Sequence, residues 1–381
     1  MRPEPGPLDY VRLMMILKRH IRKFNPEGHL YRTKNQKLKF HSFLMVIGVS
    51  VILVLSATAI ICFNTRSEML WCSLLLGHFR KELQLPECKD MSWSTVGRVQ
   101  VPTEVTNINE AVAVLPGMKA GGRHCPRDCK PKDKTAIVIP FQDRQTHLDI
   151  LLAVLLPMLV RQGLDFCVFV IEQMSRNEFN KSLLTNVGYI EALKIDDFDC
   201  FIFHDVDLVP IDDRNIYRCH TDGPVHMAAA INKFNYSLMY HGYFGGVVAF
   251  TRKQYLKING ASNMYFGWGA DDDDLRDRVT FKNLTLFRKT YKYGAYDMLY
   301  HTDSKKNSDR FKVYKTRKVR QDYDGLNSVV YTSSGLLLLP AYTRIGVSYD
   351  RVLVEKAIPL HIGSGPTNDF EYMQAKFVTI E

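Results

Sequence analysis

Three short apolar runs alternate with two helix-like segments between residues 135 and 203, and this alternation restricts the fold more than any other feature of the chain. The runs Thr135–Pro140, Phe166–Ile171 and Asp199–Phe203 have the length and composition of buried strands. Between them, His147–Gln162 and Leu183–Leu193 carry apolar residues at helical spacing. Strands alternating with helices predict an α/β domain whose largely parallel sheet is covered on both faces. Ligands of such sheets bind beyond the carboxyl ends of the strands.

A run of 21 residues without a charge, Phe43–Phe63, divides the 381-residue chain into unequal parts. It is long enough to cross the roughly 30 Å core of a bilayer as a helix, and it is longer than the apolar core of a cleaved signal peptide. Residues 1–42 hold ten Lys and Arg against three acidic residues, whereas only Arg66 closely follows the run. The positive-inside rule therefore predicts a single-pass type II membrane protein. The expected parts are a cytosolic basic tail (1–42), a transmembrane signal-anchor helix (43–63), a luminal stem (64–84) and a luminal domain (85–381).

The net charge of +10 comes mostly from the tail, so it is a topology signal and predicts no nucleic-acid partner. A luminal location permits disulfide bonds. The luminal candidates beyond the stem are Cys88, Cys125, Cys129, Cys167, Cys200 and Cys219. Sequons for N-glycosylation begin at Asn180, Asn235 and Asn283.

Asp205 and Asp207 stand one residue apart directly after the third predicted strand. Such a pair commonly holds Mn²⁺ or Mg²⁺ against a nucleotide diphosphate, because hard oxygen ligands suit these ions. A solvated acidic loop would give the same letters, but the apolar runs on both sides, Phe201–Phe203 and Leu208–Pro210, favour a placed pair.

Other residues supply what a nucleotide-sugar site needs. Arg144 and Lys233 are candidates to neutralise phosphates. Tyr243–Gly246 combines aromatic rings with two glycines that allow a close backbone approach. His301 is a candidate metal ligand, whereas Met298, three residues before it, is by itself more typical of a core residue.

Four consecutive carboxylates, Asp271–Asp274, follow Phe266 and Trp268, whose rings stand next to glycines. Adjacent carboxylates repel one another, so their burial needs a cation, a proton or polar substrate groups. A plain acidic run belongs on a solvated loop. Rings among glycines instead suit a mobile lid over a sugar, with carboxylates that bind or deprotonate hydroxyl groups.

Taken together, these residues resemble the β-1,4-galactosyltransferases, type II Golgi enzymes of the inverting GT-A (Rossmann-like) fold. The resemblance runs from about Cys88 to about residue 350. The matching motifs, in the family's order and spacing, are Gly121-Gly-Arg123, Pro126-Arg-Asp-Cys129, Ile139-Pro-Phe141, Arg144-Gln145, Phe179-Asn180, Asn186-Val-Gly188, Asp205-Val-Asp207, Tyr243-Phe-Gly-Gly246, Ile258-Asn-Gly260, Gly267-Trp-Gly269 and Asp324-Gly-Leu-Asn327.

The resemblance implies a luminal GT-A catalytic domain at 85–381 and a Mn²⁺-dependent, inverting transfer of galactose from UDP-galactose. Asp272 would be the general base, and Asp207, Met298 and His301 the metal ligands. The residues implied around the UDP-sugar are Pro140, Phe141, Arg144, Phe179, Asp205, Val206, Lys233, Tyr243, Trp268 and His301. Those implied around the acceptor are Tyr240, Ala270, Asp271, Asp272, Asp273, Arg310 and Phe311. The implied disulfides are Cys88–Cys129 and Cys200–Cys219, which leave Cys125 and Cys167 unpaired.

The chain departs from the family pattern mainly near the acceptor. Gln142 replaces an Arg on the nucleotide side, and Ala270-Asp271 replaces Gly-Glu beside the base. We therefore expect a terminal GlcNAc or glucose on a glycoprotein or glycolipid, without a choice between them. Tyr243 favours galactose, because relatives that use UDP-GalNAc carry Ile or Leu there. The alternatives are a β-1,4-N-acetylgalactosaminyltransferase of the same fold and, in a different class, an inactive lectin-like protein, which the presence of Asp207, Asp272 and His301 disfavours.

Overall fold

The computed structural model describes residues 85–88, 95–302, 306–358 and 375–381. The chain divides into two compact units, residues 1–83 and 84–381, and the description below concerns the second. The predicted tail, anchor and stem lie outside the described residues. Within the described ranges, no helix is long and apolar enough to cross a membrane.

The strands and helices of the described residues carry labels in chain order. The strands are β1 (Met118–Lys119), β2 (Arg123–His124), β3 (Lys134–Phe141), β4 (Asp165–Gln173), β5 (Cys200–His204), β6 (Leu208–Pro210), β7 (Val225–His226), β8 (Ala230–Ile231), β9 (Val247–Thr251), β10 (Leu286–Lys289), β11 (Ala295–Met298), β12 (Thr332–Leu338), β13 (Thr343–Ser348) and β14 (Phe377–Ile380). The helices are α1 (Ile108–Ala113), α2 (Gln145–Arg161), α3 (Lys181–Ile195), α4 (Arg252–Lys257), α5 (Asp271–Phe281), α6 (Arg310–Lys315), α7 (Arg317–Arg320) and α8 (Arg351–Lys356). The five segments predicted between residues 135 and 203 correspond to β3, α2, β4, α3 and β5.

The main sheet has the order β1-β2-β4-β3-β5-β9-β7-β10-β14, and the hairpin β12–β13 joins it through β4. Strand β3 runs parallel to β4 and β5, as predicted. The sheet as a whole is mixed, because β9 is antiparallel to both β5 and β7. The expectation of a largely parallel sheet is therefore right for β3, β4 and β5, and wrong for the sheet as a whole, in which β1, β2, β9 and β12 pair antiparallel. A second sheet has the order β6-β11-β8.

Helices cover the two faces of the sheet around β3. Ile137 and Ile139 pack in one apolar cluster with the leucines of α2, whereas Ala136 and Val138 pack in another with those of α3. This alternation follows from the two-residue period of a strand, since neighbouring side chains point to opposite faces. The prediction of an α/β domain with both faces covered is confirmed.

Two disulfide bonds, Cys88–Cys129 and Cys200–Cys219, join the predicted pairs, and Cys125 and Cys167 carry free thiols. The sequon at Asn180 is buried. Its side chain caps α3 by accepting a hydrogen bond from the Leu183 amide, and it donates to the carbonyl of Asn263. That side chain is therefore not accessible for glycosylation in the folded domain.

Candidate active site

The carboxyl ends of β3 and β5 lie beside the start of α5 and together form one pocket. Its lining includes Pro140, Asp205, Asp271 and Asp272 from the predicted set, together with the backbone of Gly245. The position of Asp205 is set by a hydrogen bond from its amide to the carbonyl of Gly246, 2.9 Å long. The structure thus brings Pro140 and Asp205, which were predicted to contact the donor, together with Asp271 and Asp272, which lie about 65 to 130 positions later in the chain.

Asp207 lies next to this pocket and is held from two sides. Its Oδ2 atom accepts a hydrogen bond from Arg144 at 2.9 Å and lies 2.8 Å from Nε2 of His301. Burial by itself raises the pKa of Asp207, but the His301 hydrogen bond and the Arg144 charge hold it below its ordinary value. The same hydrogen bond raises the pKa of His301.

The donor atoms at Asp207 fit a divalent cation. Nδ1 of His301 donates to the carbonyl of Thr302 at 2.7 Å, so Nε2 is the ring nitrogen that faces Asp207, and a cation bound there would take the place of its proton. Met298, half-buried, ends β11 and pairs in register with Leu208, the residue after Asp207. The amide of Leu299 also bonds the Asp207 carbonyl at 2.8 Å. Across the described ranges, no group of three or more His, Cys, Asp and Glu side chains forms a metal site; the predicted site has two such ligands and a thioether.

Lys181, which the sequence motifs did not single out, is the cation that faces the first two aspartates of the acidic run. It occupies the first position of α3, and its Nζ lies 2.8 Å from Asp272, 3.3 Å from Asp271 and 3.6 Å from Asp205. Its side chain is about a quarter exposed. The available signal was its place at the start of a helix, directly after the Phe179-Asn180 motif. Nothing in its spacing connects it to residues 271 and 272.

Burial raises the pKa of Asp272 to about 8, although the Lys181 ammonium acts in the opposite direction and the carboxylates of Asp271 and Asp205 add to the rise. Burial likewise raises the pKa of Asp205 to about 6. Burial lowers the pKa of Lys181, but the three carboxylates outweigh it and hold that pKa well above its ordinary value. A carboxyl whose pKa lies near neutrality is suited to accept a proton during catalysis.

The segment Tyr243–Gly246 forms the floor beneath the Asp272 carboxylate. A Cβ atom at Gly245 would lie 2.1 Å from Oδ2 of Asp272, so only glycine permits this approach. The Tyr243 ring is buried, and burial together with the Asp272 and Asp205 charges raises the pKa of its hydroxyl well above the ordinary value. Tyr243 therefore lies buried beside the two carboxylates.

The last two aspartates of the run take different partners. Asp273 accepts hydrogen bonds from the Tyr240 hydroxyl at 2.9 Å and from Arg276 at 2.7 Å, so two predicted acceptor residues are joined. Asp274 is fully buried and forms ion pairs with Arg278 at 2.6 Å and Arg320 at 3.1 Å. Within the run, Asp271 and Asp272 therefore face Lys181, Asp273 faces Tyr240 and Arg276, and Asp274 is a buried ion-pair partner of two arginines.

Ala270 adopts a left-handed conformation with φ of +68°, which explains the family's glycine at this position. The neighbouring Gly269 lies against Arg310, whose guanidinium stacks over the ring of Phe311 at 4.4 Å. Arg310 and Phe311, two of the predicted acceptor residues, thus lie beside the glycine that precedes Ala270.

Five further residues of the predicted donor set are not part of the pocket lining. Phe141 and Val206 are buried in the core, and the carbonyl of the half-buried Phe179 accepts the Gly267 amide at 2.9 Å. The Trp268 side chain is 51% exposed, so the predicted lid does not lie over the pocket in this structure. Lys233 is exposed on the 3₁₀ turn Asn232–Phe234.

Comparison with known proteins identifies the family. A model described as the N-terminal region of glycosyl transferase group 7 matches residues 88–220, and one described as the N-terminal domain of galactosyltransferase matches residues 225–302. A β-N-acetyl-D-glucosaminide β-1,4-N-acetylglucosaminyl-transferase of Lymnaea stagnalis is 39% identical over 378 residues, covering 83% of this chain and 77% of its own. β-1,4-Galactosyltransferase 1 of Mus musculus is 42% identical over 269 residues, covering 70% and 67%. The solved catalytic domain of Drosophila β-1,4-galactosyltransferase 7, in complex with xylobiose, is 27% identical with a TM-score of 0.49, covering 57% of this chain and 94% of that one.

The sheet, the acidic strand end and the buried carboxyl define a glycosyltransferase. The chain belongs to glycosyltransferase group 7, the family of the β-1,4-galactosyltransferases.

Proposed function

We propose that this protein is an inverting β-1,4-galactosyltransferase that moves galactose from UDP-galactose to a terminal GlcNAc or glucose. The observation that carries the proposal is the Asp272 carboxyl, which lies on Gly245 and Lys181 in the same pocket as Asp205. Tyr243 supports galactose as the donor sugar, because relatives that use UDP-GalNAc carry Ile or Leu at this position, whereas here a larger ring is buried beside Asp272. Family membership supports the GT-A assignment and a Golgi location with a type II anchor.

In the proposed reaction, Asp272 accepts the proton of the acceptor hydroxyl while that oxygen attacks the anomeric carbon from the face opposite UDP. The C–O bond to UDP breaks as the new bond forms, so the configuration inverts. Asp273, oriented by Tyr240 and Arg276, would hold the acceptor hydroxyls. A positioned base of this kind contributes about 10²–10⁴-fold to the rate.

The diphosphate end of the donor belongs at Asp207. Asp207, His301 and Met298 would hold Mn²⁺, which when bound supplies positive charge against the leaving diphosphate. Arg144, already paired with Asp207, and Lys233 would neutralise phosphate charge on the same side. Closure of the Trp268 segment would exclude water and favour transfer over hydrolysis.

The proposal is tested with the full-length chain purified in detergent, with Mn²⁺, UDP-Gal, UDP-GalNAc and UDP-GlcNAc, and acceptors ending in GlcNAc or glucose. We expect galactose transfer to dominate and to disappear when the metal is chelated. Asp272→Asn should lower transfer by at least about 100-fold while UDP binding is retained. The control is Asp322→Asn, since Asp322 is exposed and pairs only at the surface with Lys282. Sugar binding without transfer to any acceptor would instead indicate a lectin.

A β-1,4-N-acetylglucosaminyltransferase is the second candidate. The Lymnaea relative bearing that activity in its name matches 83% of this chain, a larger share than the 70% matched by the mouse galactosyltransferase. Dominant transfer from UDP-GlcNAc in the same panel would replace galactose with GlcNAc as the donor sugar. Dominant transfer from UDP-GalNAc would favour the N-acetylgalactosaminyltransferase.

The donor assignment makes a prediction at Tyr243. Tyr243→Leu shortens the side chain beside Asp272 and makes room for an N-acetyl group, so transfer from UDP-GalNAc relative to UDP-Gal should rise about 10-fold or more. The measurement is kcat/KM for both donors. Tyr236→Leu serves as the control, because Tyr236 is an exposed tyrosine on the turn after β8. An unchanged donor ratio in the Tyr243 variant would remove Tyr243 from donor selection.

A further inference from the structure

Arg288 is a buried arginine that forms no ion pair with a carboxylate among the described residues. It lies on β10, between β7 and β14, and is 5% exposed. Burial lowers the pKa of its guanidinium to about 10. Desolvating a cation without a carboxylate partner is costly, so its contacts need an explanation.

The guanidinium of Arg288 is directed at the segment that forms the floor of the pocket. One terminal nitrogen donates to the carbonyl of Tyr243 at 2.6 Å, and both terminal nitrogens donate to the carbonyl of His241 at 3.2 Å. Its Nε donates to Nδ1 of the fully buried His226 at 3.0 Å. The planar fork of an arginine suits several carbonyl acceptors at once.

His226 extends this contact to the other end of the segment. Because Nδ1 accepts from Arg288, the ring hydrogen is on Nε2, which donates to the carbonyl of Gly245 at 3.0 Å. The ring also packs edge-on against Tyr243, with centroids 5.3 Å apart. Arg288 and His226 together bind the main chain at Tyr243 and Gly245, on which Asp272 rests.

The C-terminal strand covers Arg288 from the opposite side. Phe377, the first residue of β14, places its ring centroid 3.5 Å from the guanidinium carbon of Arg288. The same ring lies 6.2 Å from that of Phe244 in the floor segment. A cation stacked on an aromatic ring is stabilised more strongly when it is desolvated. Phe377 lies beyond residue 350, outside the motifs that carry the family resemblance.

We propose that Arg288, stacked under Phe377 of the C-terminal strand, is a positioning residue that holds Tyr243–Gly246 in the conformation that selects the donor sugar and supports the base. The donor-selection part rests on the proposed function. In this arrangement β14, at the edge of the sheet, affects the proposed donor site through its contact with Arg288. Without the Phe377 ring, the Arg288 guanidinium is less firmly held. Its hydrogen bonds to the carbonyls of His241 and Tyr243 then weaken, and Tyr243–Gly246 becomes more mobile.

The test uses the full-length chain with three variants on β14. Phe377→Leu keeps an apolar side chain but removes the ring, Phe377→Tyr keeps the ring, and Val378→Ala alters an exposed neighbour on the same strand. A fourth variant, Arg288→Lys, keeps the charge but loses the fork. One readout is amide hydrogen exchange of peptides covering residues 243–246, which needs no activity. The other is the ratio of kcat/KM for UDP-Gal to that for UDP-GalNAc.

Phe377→Leu should speed exchange at residues 243–246 about five-fold and lower the donor ratio by a similar factor, with less change elsewhere in the domain. Arg288→Lys should act in the same direction and more strongly, while Phe377→Tyr and Val378→Ala should resemble the wild type. Equal exchange in the Leu and Ala variants, a uniform change over the whole domain, or local loosening with an unchanged donor ratio would overturn the proposal. If the wild-type chain transfers neither sugar, the proposed function fails, and hydrogen exchange still decides whether Arg288 and Phe377 hold the segment.

Discussion

Lys181 determines how the carboxylates of the pocket share their protons. Three carboxylates surround one ammonium group within 3.6 Å, so the site carries an excess of negative charge. Burial favours the neutral form of Asp272, and Lys181 is the group that opposes this. The balance leaves a base whose pKa of about 8 is close to that of a working proton acceptor.

Replacement of this lysine should therefore shift the pH dependence of transfer. Lys181→Gln removes the cation that lowers the pKa of Asp272, so the pKa rises and less of the base is ionised at neutral pH. We expect the acid limb of kcat/KM for the acceptor, measured at saturating donor, to move to higher pH by about one unit, which is a ten-fold loss at pH 7.

The matched control is Lys194→Gln, which removes a lysine from the other end of the same helix. That side chain is 59% exposed and pairs with Glu191. Its variant should keep the wild-type profile. An acid limb that stays in place in Lys181→Gln would show that Lys181 does not set the ionisation of the base.

Helix α5 begins with four adjacent aspartates, and the properties of a helix N-terminus explain how they can be neighbours there. The first turn of a helix favours negative charge, because the free amide groups and the helix dipole are positive there. The helical period of 3.6 residues then sends the four side chains in different directions. Asp274 lies against Arg278 one turn later and against Arg320 of α7. These buried ion pairs connect α5, which carries Asp272, to α7, which follows Arg310 and Phe311 in the chain.

Breaking this buried network should destabilise the domain strongly. Asp274→Asn leaves Arg278 and Arg320 without one of their charge partners, and we expect a loss of about 3–5 kcal/mol in the free energy of unfolding, measured by denaturant titration. The arginine partners hold the pKa of Asp274 below its ordinary value despite its burial. A lowered folded-state pKa contributes stability above the unfolded-state pKa of about 4, and this contribution is lost as the pH falls further. The difference between wild type and variant should therefore shrink below about pH 4.

Asp322→Asn tests the same chemical change at a surface ion pair. The Asp322 side chain is 60% exposed, so its pair with Lys282 is expected to contribute less than about 1 kcal/mol. Similar losses in the two variants would contradict the structural role assigned to Asp274.

For the whole molecule, long-range connections set the shape of the sheet. Strand β14 lies at one edge beside β10, although it follows β12 and β13 of the hairpin on the other side of β3. The Cys200–Cys219 bond connects the start of β5 to the loop before β7. Such connections restrict the unfolded chain more than local contacts do.

Removal of this disulfide should lower stability by an amount that its loop predicts. The cysteines are 19 positions apart, and a loop of this size corresponds to about 3 kcal/mol in the chain-entropy model. We expect the double variant Cys200→Ser, Cys219→Ser to lose about that much in the free energy of unfolding. Cys125→Ser, which changes a free cysteine, should lose much less. A double variant as stable as the wild type would show that the bond does not restrain the domain.

The α/β class, the five segments from β3 to β5, both disulfides and the Asp205–Asp207 pair were predictable from the sequence. Strand ends and helix periods depend on near neighbours, and the family motifs supplied the pairing of the cysteines. The antiparallel strand β9 between β5 and β7 was not predictable in this way, because its direction is set by packing between distant segments, and its neighbour β7 has only two residues. Two residues are too few for a periodic pattern.

Within the candidate site, the acidic run likewise has features that the sequence predicts and features that only the folded structure decides. The sequence by itself determined that four carboxylates, Asp271–Asp274, directly follow a segment of glycines and rings. Only the tertiary structure decided that Asp272 meets Lys181, 91 positions away, and that Asp274 is buried among arginines. Only the tertiary structure also placed Phe377 over Arg288. The physical reason is that local periodicity sets the direction of a side chain relative to its own element, whereas the packing of distant elements sets which charge it meets and how much water remains around it.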